Sequence, residues 1–291
     1  MCKGGLLDSE FACMSPNVDD PLAACPPGSH CGRKEHSLWS DANERIGKLL
    51  SAESARRGLR GEPAVNQSFA FTTLRAGNER VISHWAFLEK NLADDPLATS
   101  SGHGGHRPPP DVALYSTESL RFFLHHHVNG VETVFFRSSN LQIAELASVP
   151  LGTPVNRSHL EQAKAMLNDT QAWALATVEC MPMMVMQLSY RVHGVELSTK
   201  EAEALIEHSN VGQDKLTILL DSDVLAEAAM MNLLDMELHE WALSRICGDD
   251  KFDELQRRRQ EHQIRVQSLA PGEAVSVVIG SSHTFEILVV D

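Results

Sequence analysis

The sequence has neither a long apolar run nor a basic region of any size. The nearest approach to a membrane-spanning stretch, residues 172–186, is shorter than the ~20 residues required and contains Glu179 and Pro182. Lys and Arg together number 25 against 39 Asp and Glu, which gives a formal charge of −14. Because nucleic acids and anionic membranes attract basic surfaces, we expect neither a nucleic-acid partner nor binding to an anionic membrane surface. The short apolar run predicts no membrane span. A protein partner is compatible with this composition.

The amino-terminal residues also lack the apolar segment of a Sec-type signal peptide. We therefore expect a soluble protein that is either cytoplasmic or exported by a route that leaves no such signal. The 291 residues, of which 43% are hydrophobic, are sufficient for a substantial core in one large domain or one and a half.

Cysteine is scarce beyond the first 31 residues. The spacing of the early cysteines does not match a structural zinc site, so unrelated thiols in a flexible leader are favoured over zinc binding or an oxidised pair. These four residues are Cys2, Cys13, Cys25 and Cys31. The remaining two, Cys180 and Cys247, lie in apolar sequence that is typical of helices, and we expect them to be buried as small hydrophobic residues.

Proline and glycine divide the chain into four predicted segments. The first, 1–37, has no apolar period and is predicted to be a flexible leader. A helical segment, 38–93, is followed by the Gly- and Pro-rich stretch 94–110, which is predicted to be a linker or mobile loop. Residues 111–291 are predicted to form an α/β domain.

Short β-branched runs alternate with helical periods in that domain. The pattern predicts an α/β fold with more helix than strand, in which helices pack on a small mixed or mostly parallel sheet. The predicted strands are 112–115, 131–136, 215–220, 274–279 and 285–290. The main predicted helices are 77–93, 157–168, 171–193 with a kink at Pro182, 198–208, and 221 to about 247.

Three polar residues within the predicted helices are candidates for chemistry. Glu179 lies in an apolar helix, where a carboxylate must be paired or must have a raised pKa, as either a structural or a catalytic group. Asp235 and His239 are four residues apart, so they can chelate one ion or bond to each other. With Asn232 they form a polar stripe, and an exposed stripe is the favoured interpretation.

The strongest single clue is His283, in the segment Gly280-Ser281-Ser282-His283 between two apolar runs. A histidine presented by a glycine turn at the end of a strand occupies a favoured site position in α/β proteins. This pattern resembles the end of the TraB/ChaN/erythromycin-esterase-like group, where a strand closes in a Gly-x-x-His-type motif. The resemblance implies an α/β enzyme core that is often hydrolytic, sometimes with a metal or haem. Only Gly280, His283 and an arginine within 257–259 correspond to it.

Three hypotheses about function follow. The first is a hydrolase in which His283 is general base or metal ligand, supported by a carboxylate such as Glu179, Asp235 or Glu132. The second is a thiol enzyme with the order Cys180, His283 and Asp291. The third is a non-enzymatic interaction protein or exported effector with a flexible leader. The sequence indicates no particular cofactor or metal.

Overall fold

Helices outnumber strands in the part of the chain that the structure describes, and these strands form two small sheets. The computed structural model describes residues 70–94, 108–126, 138–150, 152–170, 173–193, 195–209, 216–249, 252–254, 256–257, 260, 270, 273–279 and 285–289. These residues all belong to one unit, which spans Phe69–Asp291.

The elements follow one another in a mixed order. The strands are β1 (Ala70–Leu74), β2 (Trp173–Thr177), β3 (Leu216–Asp221), β4 (Ala274–Ile279) and β5 (Phe285–Val289). The first four helices are α1 (Gly77–Asp94), α2 (Thr117–His126), α3 (Leu141–Leu146) and α4 (Arg157–Leu167). The next four are α5 (Met181–His193), α6 (Thr199–Ser209), α7 (Ser222–Met231) and α8 (Leu233–Ile246). A 3₁₀ turn, Val178–Cys180, connects β2 to α5.

β1 and β2 form a parallel pair, with Ala70 opposite Trp173 and Leu74 opposite Thr177. Neither strand is predicted from the sequence, and the prediction of one helix over 171–193 is wrong. A short apolar run fits a buried strand and a buried helix equally well, so its periodicity does not separate them. Pro182 lies in the first turn of α5, where a missing N–H breaks no helical hydrogen bond, so it marks the start of a helix.

β3, β4 and β5 form an antiparallel sheet in that order, which confirms the strands predicted near 215–220, 274–279 and 285–290. The strand predicted at 112–115 is wrong, because these residues form turns in which Val112 N donates to Pro109 O at 2.9 Å. The predicted strand 131–136 lies outside the described residues. The fold is therefore a helix-rich α/β fold with small sheets.

One face of the antiparallel sheet packs against α1, α2 and α7. Along β3 the side chains alternate, with Ile218 and Leu220 buried and Thr217 and Leu219 exposed, as a sheet covered on one face requires. The largest buried side chains of this core are Trp85 and Phe123. Others in the same cluster are Val81, Ile82, Leu88, Leu120, Leu124, Val224, Val275 and Val277.

Several predictions fall outside the described part of the chain. They concern the leader 1–37 with its four cysteines, most of the linker 94–110, and the residues Glu132, Gly280, His283 and Asp291. Among the helices that the structure does describe, none is long and apolar enough to cross a membrane.

Candidate functional site

Helices α3 and α8 cap each other's amino-terminal ends. Asn140, which precedes α3, accepts hydrogen bonds at Oδ1 from the backbone N–H groups of Leu234 (3.1 Å) and Asp235 (3.0 Å). In return, the Asp235 carboxylate accepts from the backbone N–H groups of Gln142 and Ile143, both at 3.0 Å. The first N–H groups of a helix have no partner within the helix, so this exchange fixes both helix ends.

The polar stripe of Asn232, Asp235 and His239 is fully buried, so the prediction of an exposed stripe is wrong. Asn232 also interrupts the long helix predicted from 221 to 247. Its side-chain amide donates to the carbonyls of Ala228 and Ser138, both at 2.9 Å, which leaves α7 and α8 as separate helices. Within the stripe, the side chains of Asn232 and Asp235 form hydrogen bonds with backbone groups of neighbouring segments inside the protein.

Through these contacts α3 and α8 position the residues that follow the two parallel strands. Arg75 follows β1, and the side chain of Gln142 in α3 bonds to both its backbone N (2.9 Å) and its backbone O (2.7 Å). Glu179 follows β2, and its Oε2 lies 3.0 Å from Nε2 of His239 in α8. The carboxyl ends of β1 and β2 are adjacent, because Leu74 is opposite Thr177.

The two members of the Glu179–His239 pair differ in exposure. The imidazole is completely buried, whereas the carboxylate side chain is 21% exposed. A contact between a buried imidazole nitrogen and a carboxylate oxygen at this distance holds the carboxylate in place. The acid is therefore the member of the pair that can meet a ligand.

Arg75 places a positive charge beside this pair. Burial lowers the pKa of Arg75, and the charges of Glu79 and Glu179 oppose that effect. Its Nε lies 3.6 Å from Glu79 Oε2, and its side chain is 9% exposed. The edge of the parallel pair thus carries one guanidinium and two carboxylates within a small region.

A second charged group lies deeper, around Arg80. Arg80 Nε lies 3.7 Å from Asp235 Oδ2, and Arg80 Nη2 lies 3.4 Å from Asn232 Oδ1. Burial raises the pKa of Asp235, whereas Arg80 and the α3 backbone N–H groups lower it. Burial also raises the pKa of Glu145 to about 7, so this carboxyl group titrates near neutral pH. Asp235 is fully buried, whereas Arg80 and Glu145 are half-buried, and we assign the three groups to the structure.

No family model, curated protein or solved structure matches this chain. Its function is therefore inferred from the arrangement of its own side chains. The pair of Glu179 and His239 at the carboxyl edge of two parallel strands is the arrangement best suited to chemistry.

A metal centre is not present among the described residues, where no three His, Cys, Asp or Glu side chains are grouped to hold an ion. Asp235 bonds to the α3 backbone and His239 bonds to Glu179, so they do not form the two-ligand ion site considered from the sequence. A further histidine, His125, lies with its Nε2 2.6 Å from Oε1 of Glu227.

Cys180 and Cys247 form a disulfide, with Cα atoms 5.9 Å apart. Both are buried as predicted, at 6% exposure, but the sequence did not predict that they pair. The bond joins the turn that carries Glu179 to the end of the helix that carries His239. A disulfide-bonded sulfur is not a thiolate, so this state of the protein does not fit the thiol-enzyme hypothesis.

The sequence identified Glu179, Asp235 and His239 as candidates, but it did not pair Glu179 with His239, and it did not indicate Arg75 or Gln142. Neither of these two stands in a recognisable motif, and Gln142 acts through the backbone of a residue 67 positions away. Asn140 does carry a signal, because an asparagine immediately before an apolar helix is a typical cap.

Proposed function

We propose that this protein is a hydrolase in which Glu179 is the general base, His239 positions it, and Arg75 binds a negatively charged group of the substrate. The observation that carries the proposal is the 3.0 Å contact between a partly exposed carboxylate and a fully buried imidazole. The residues would act on a small polar substrate at the edge of the parallel strands.

The position of the pair supports a ligand site. In α/β proteins, ligands bind outside the carboxyl ends of parallel strands, where residues from several strands converge. Arg75 and Glu179 follow the carboxyl ends of β1 and β2, one and two residues after the last paired positions.

The chemistry of the pair supports proton transfer. A carboxylate that lies 3.0 Å from Nε2 of a buried imidazole keeps a fixed direction, and its 21% exposure leaves it within reach of water. In the proposed reaction, Glu179 takes a proton from a water molecule as that water attacks the central atom of the ester. The bond from that atom to the leaving alcohol oxygen then breaks, and the proton passes from Glu179 to the departing oxygen or to solvent. General-base assistance of this kind accelerates reactions by about 10²–10⁴-fold.

Arg75 supports a preference for an anionic substrate. A guanidinium binds carboxylate, phosphate and sulfate groups through paired hydrogen bonds. Two hydrogen bonds between the Gln142 side chain and the backbone of Arg75 fix the position of the Arg75 backbone. This favours a defined geometry for a group bound by the guanidinium.

The proposal retains the hydrolytic class implied by the resemblance to the TraB/ChaN/erythromycin-esterase-like group and assigns the base to a different residue. His283 lies outside the described residues, whereas Glu179 and His239 meet directly. Asp235 is assigned to helix capping, since both of its oxygens accept backbone N–H groups.

The test is a panel of 4-nitrophenyl acetate, 4-nitrophenyl phosphate and 4-nitrophenyl sulfate, assayed with the purified full chain. We expect turnover of at least one ester and a loss of about 100-fold or more in Glu179→Gln. Glu240→Gln is the matched control, because Glu240 is an exposed carboxylate on α8 next to His239 in sequence. It should leave the rate unchanged.

Turnover that survives Glu179→Gln would overturn the assignment of the base. If none of the three esters is hydrolysed above the rate of the uncatalysed reaction, the hydrolase proposal fails. The non-enzymatic interaction protein, with a partner of its own, is then the better conclusion.

A further inference from the structure

A cavity of about 560 Å³ opens between the end of α4, β2, α5 and the last turn of α8. This volume lies within the range of cavities that hold small molecules, roughly 300–1,000 Å³. Arg75, Glu179 and His239 do not line it. The cavity is therefore separate from the site proposed for hydrolysis.

The inner wall of the cavity is apolar. Leu167 and Leu175 are buried at 3% and 9% exposure and form part of the lining. Ile246 and Met183 extend this apolar surface toward solvent. Met183 is 37% exposed, which is a large fraction for a hydrophobic residue. A ligand with an apolar body would cover these groups and gain from removing their surface from water.

Two arginines, Arg191 and Arg245, also line the cavity. Arg245 Nη1 donates to Asn168 Oδ1, and its guanidinium lies 5.1 Å from the centre of the Trp241 ring. Arg191 Nη2 donates to the backbone carbonyl of Thr170. Among the described residues that line the cavity, none is acidic.

We propose that this cavity binds a small amphipathic anion, meaning a molecule with an apolar chain or ring and a single carboxylate or sulfate head. The apolar wall receives the body, and the guanidinium groups of Arg191 and Arg245 receive the head. Arginine is suited to this role because its planar donors match the paired oxygens of such heads. An acidic protein of net charge −14 repels anions generally, so a local pair of arginines selects where they bind.

The spacing along α5 fits this division of roles. Met183, Gln187 and Arg191 are four residues apart, so they lie along one face of the helix in that order. The face therefore runs from an apolar residue, through an amide, to a cation. A ligand lying along it meets apolar surface at one end and positive charge at the other.

The experiment is isothermal titration calorimetry of the full chain with octanoate, 1-octanol and acetate. Octanoate carries both parts of the proposed ligand, 1-octanol lacks the charge, and acetate lacks the apolar chain. We expect saturable binding of octanoate at least about tenfold tighter than that of either other probe. Equal affinities for octanoate and 1-octanol would show that the charge of the head does not contribute to binding. Equal affinities for octanoate and acetate would show that the apolar wall does not contribute.

Variants test the residues. Arg245→Gln and Arg191→Gln should each weaken octanoate binding about tenfold, and Met183→Glu should weaken it by placing a negative charge in the wall. Arg121→Gln is the matched control, because Arg121 is a 44% exposed arginine that faces Glu227 outside the cavity. An unchanged octanoate affinity in both cavity-arginine variants, with unaltered melting temperatures, would overturn the proposal.

The inference does not depend on the proposed hydrolysis. Glu179→Gln should bind octanoate as tightly as the unaltered chain whether or not that chain hydrolyses an ester. Loss of octanoate binding in Glu179→Gln would contradict the separation of the two sites.

Discussion

His239 Nε2 lies 3.0 Å from Glu179 Oε2, and it is the imidazole that is buried while the carboxylate reaches solvent. In Ser–His–Asp enzymes the order is the reverse, since a buried acid orients a reactive histidine. Here α8 supplies a buried imidazole, and the turn after β2 supplies the carboxylate that we propose as the reactive group. The inversion is the reason for assigning the proton-transfer step to Glu179.

Asp235→Asn should destabilise the protein by about 3 kcal/mol or more, because it leaves half-buried Arg80 with less compensating charge and presents an amide to two N–H donors. Glu237→Gln is the matched control, since its carboxylate is 38% exposed and pairs with Arg157 and Lys164 at the surface. It should cost less than about 1 kcal/mol. Urea unfolding measures both, and equal small losses would contradict the buried capping role of Asp235.

Stability should decrease as pH rises from about 5 to 8 because of Glu145. Its pKa in the folded protein is raised to about 7, above the ordinary value, so between the two values the folded state holds a proton that the unfolded state has released. Raising the pH through this interval therefore favours unfolding, by up to about 3 kcal/mol.

Glu145→Gln should flatten that part of the curve, whereas Glu237→Gln should not, because the pKa of Glu237 is lowered. Unfolding free energies at pH 5, 6, 7 and 8 make the comparison. A wild-type curve with no more slope than that of Glu145→Gln would show that this carboxyl is ionised throughout.

The Cys180–Cys247 bond closes a loop between residues 67 positions apart, so its removal should destabilise the protein by about 2–4 kcal/mol. Peptide mapping without a reducing agent should recover the two cysteines in one linked peptide. The double variant Cys180→Ala/Cys247→Ala should then lose stability in urea. Recovery of both residues as alkylated free thiols would contradict the bond.

Gly77→Ala should cost about 1–3 kcal/mol through overpacking at the start of α1. A methyl group there would come within 2.8 Å of Cβ of both Asn232 and Asp235. Gly248→Ala is the control, because nothing lies within 4 Å of a methyl group at that position. Equal melting temperatures for the two variants would show that α1 does not approach α8 as closely as described.

Much of the helical structure is readable from the sequence because its signals are local. The prediction of a helix over 77–93 matches α1, and that of a helix over 198–208 matches α6. Reciprocal bonds between Ser198 and Glu201 form a capping box at the start of α6, which is a local signal. The strands β3, β4 and β5 were also predictable, since their β-branched runs are bounded by turn residues.

The two parallel strands and the site were harder to predict because their determinants are distant in sequence. β1 and β2 are each five residues long, too short for periodicity to distinguish strand from helix. The spacing of Asp235 and His239 places them on one helical face. The spacing does not show which groups these side chains contact. Asp235 accepts from the N–H of Gln142, 93 residues away, and His239 contacts the carboxylate of Glu179, 60 residues away.

The most direct test measures kcat/KM for Glu179→Gln, His239→Gln and the double variant on whichever ester the chain hydrolyses. If His239 acts by positioning Glu179, His239→Gln should lower kcat with little change in KM, and the double variant should be no slower than Glu179→Gln alone. Losses that multiply in the double variant, or an unchanged rate in His239→Gln, would contradict the account.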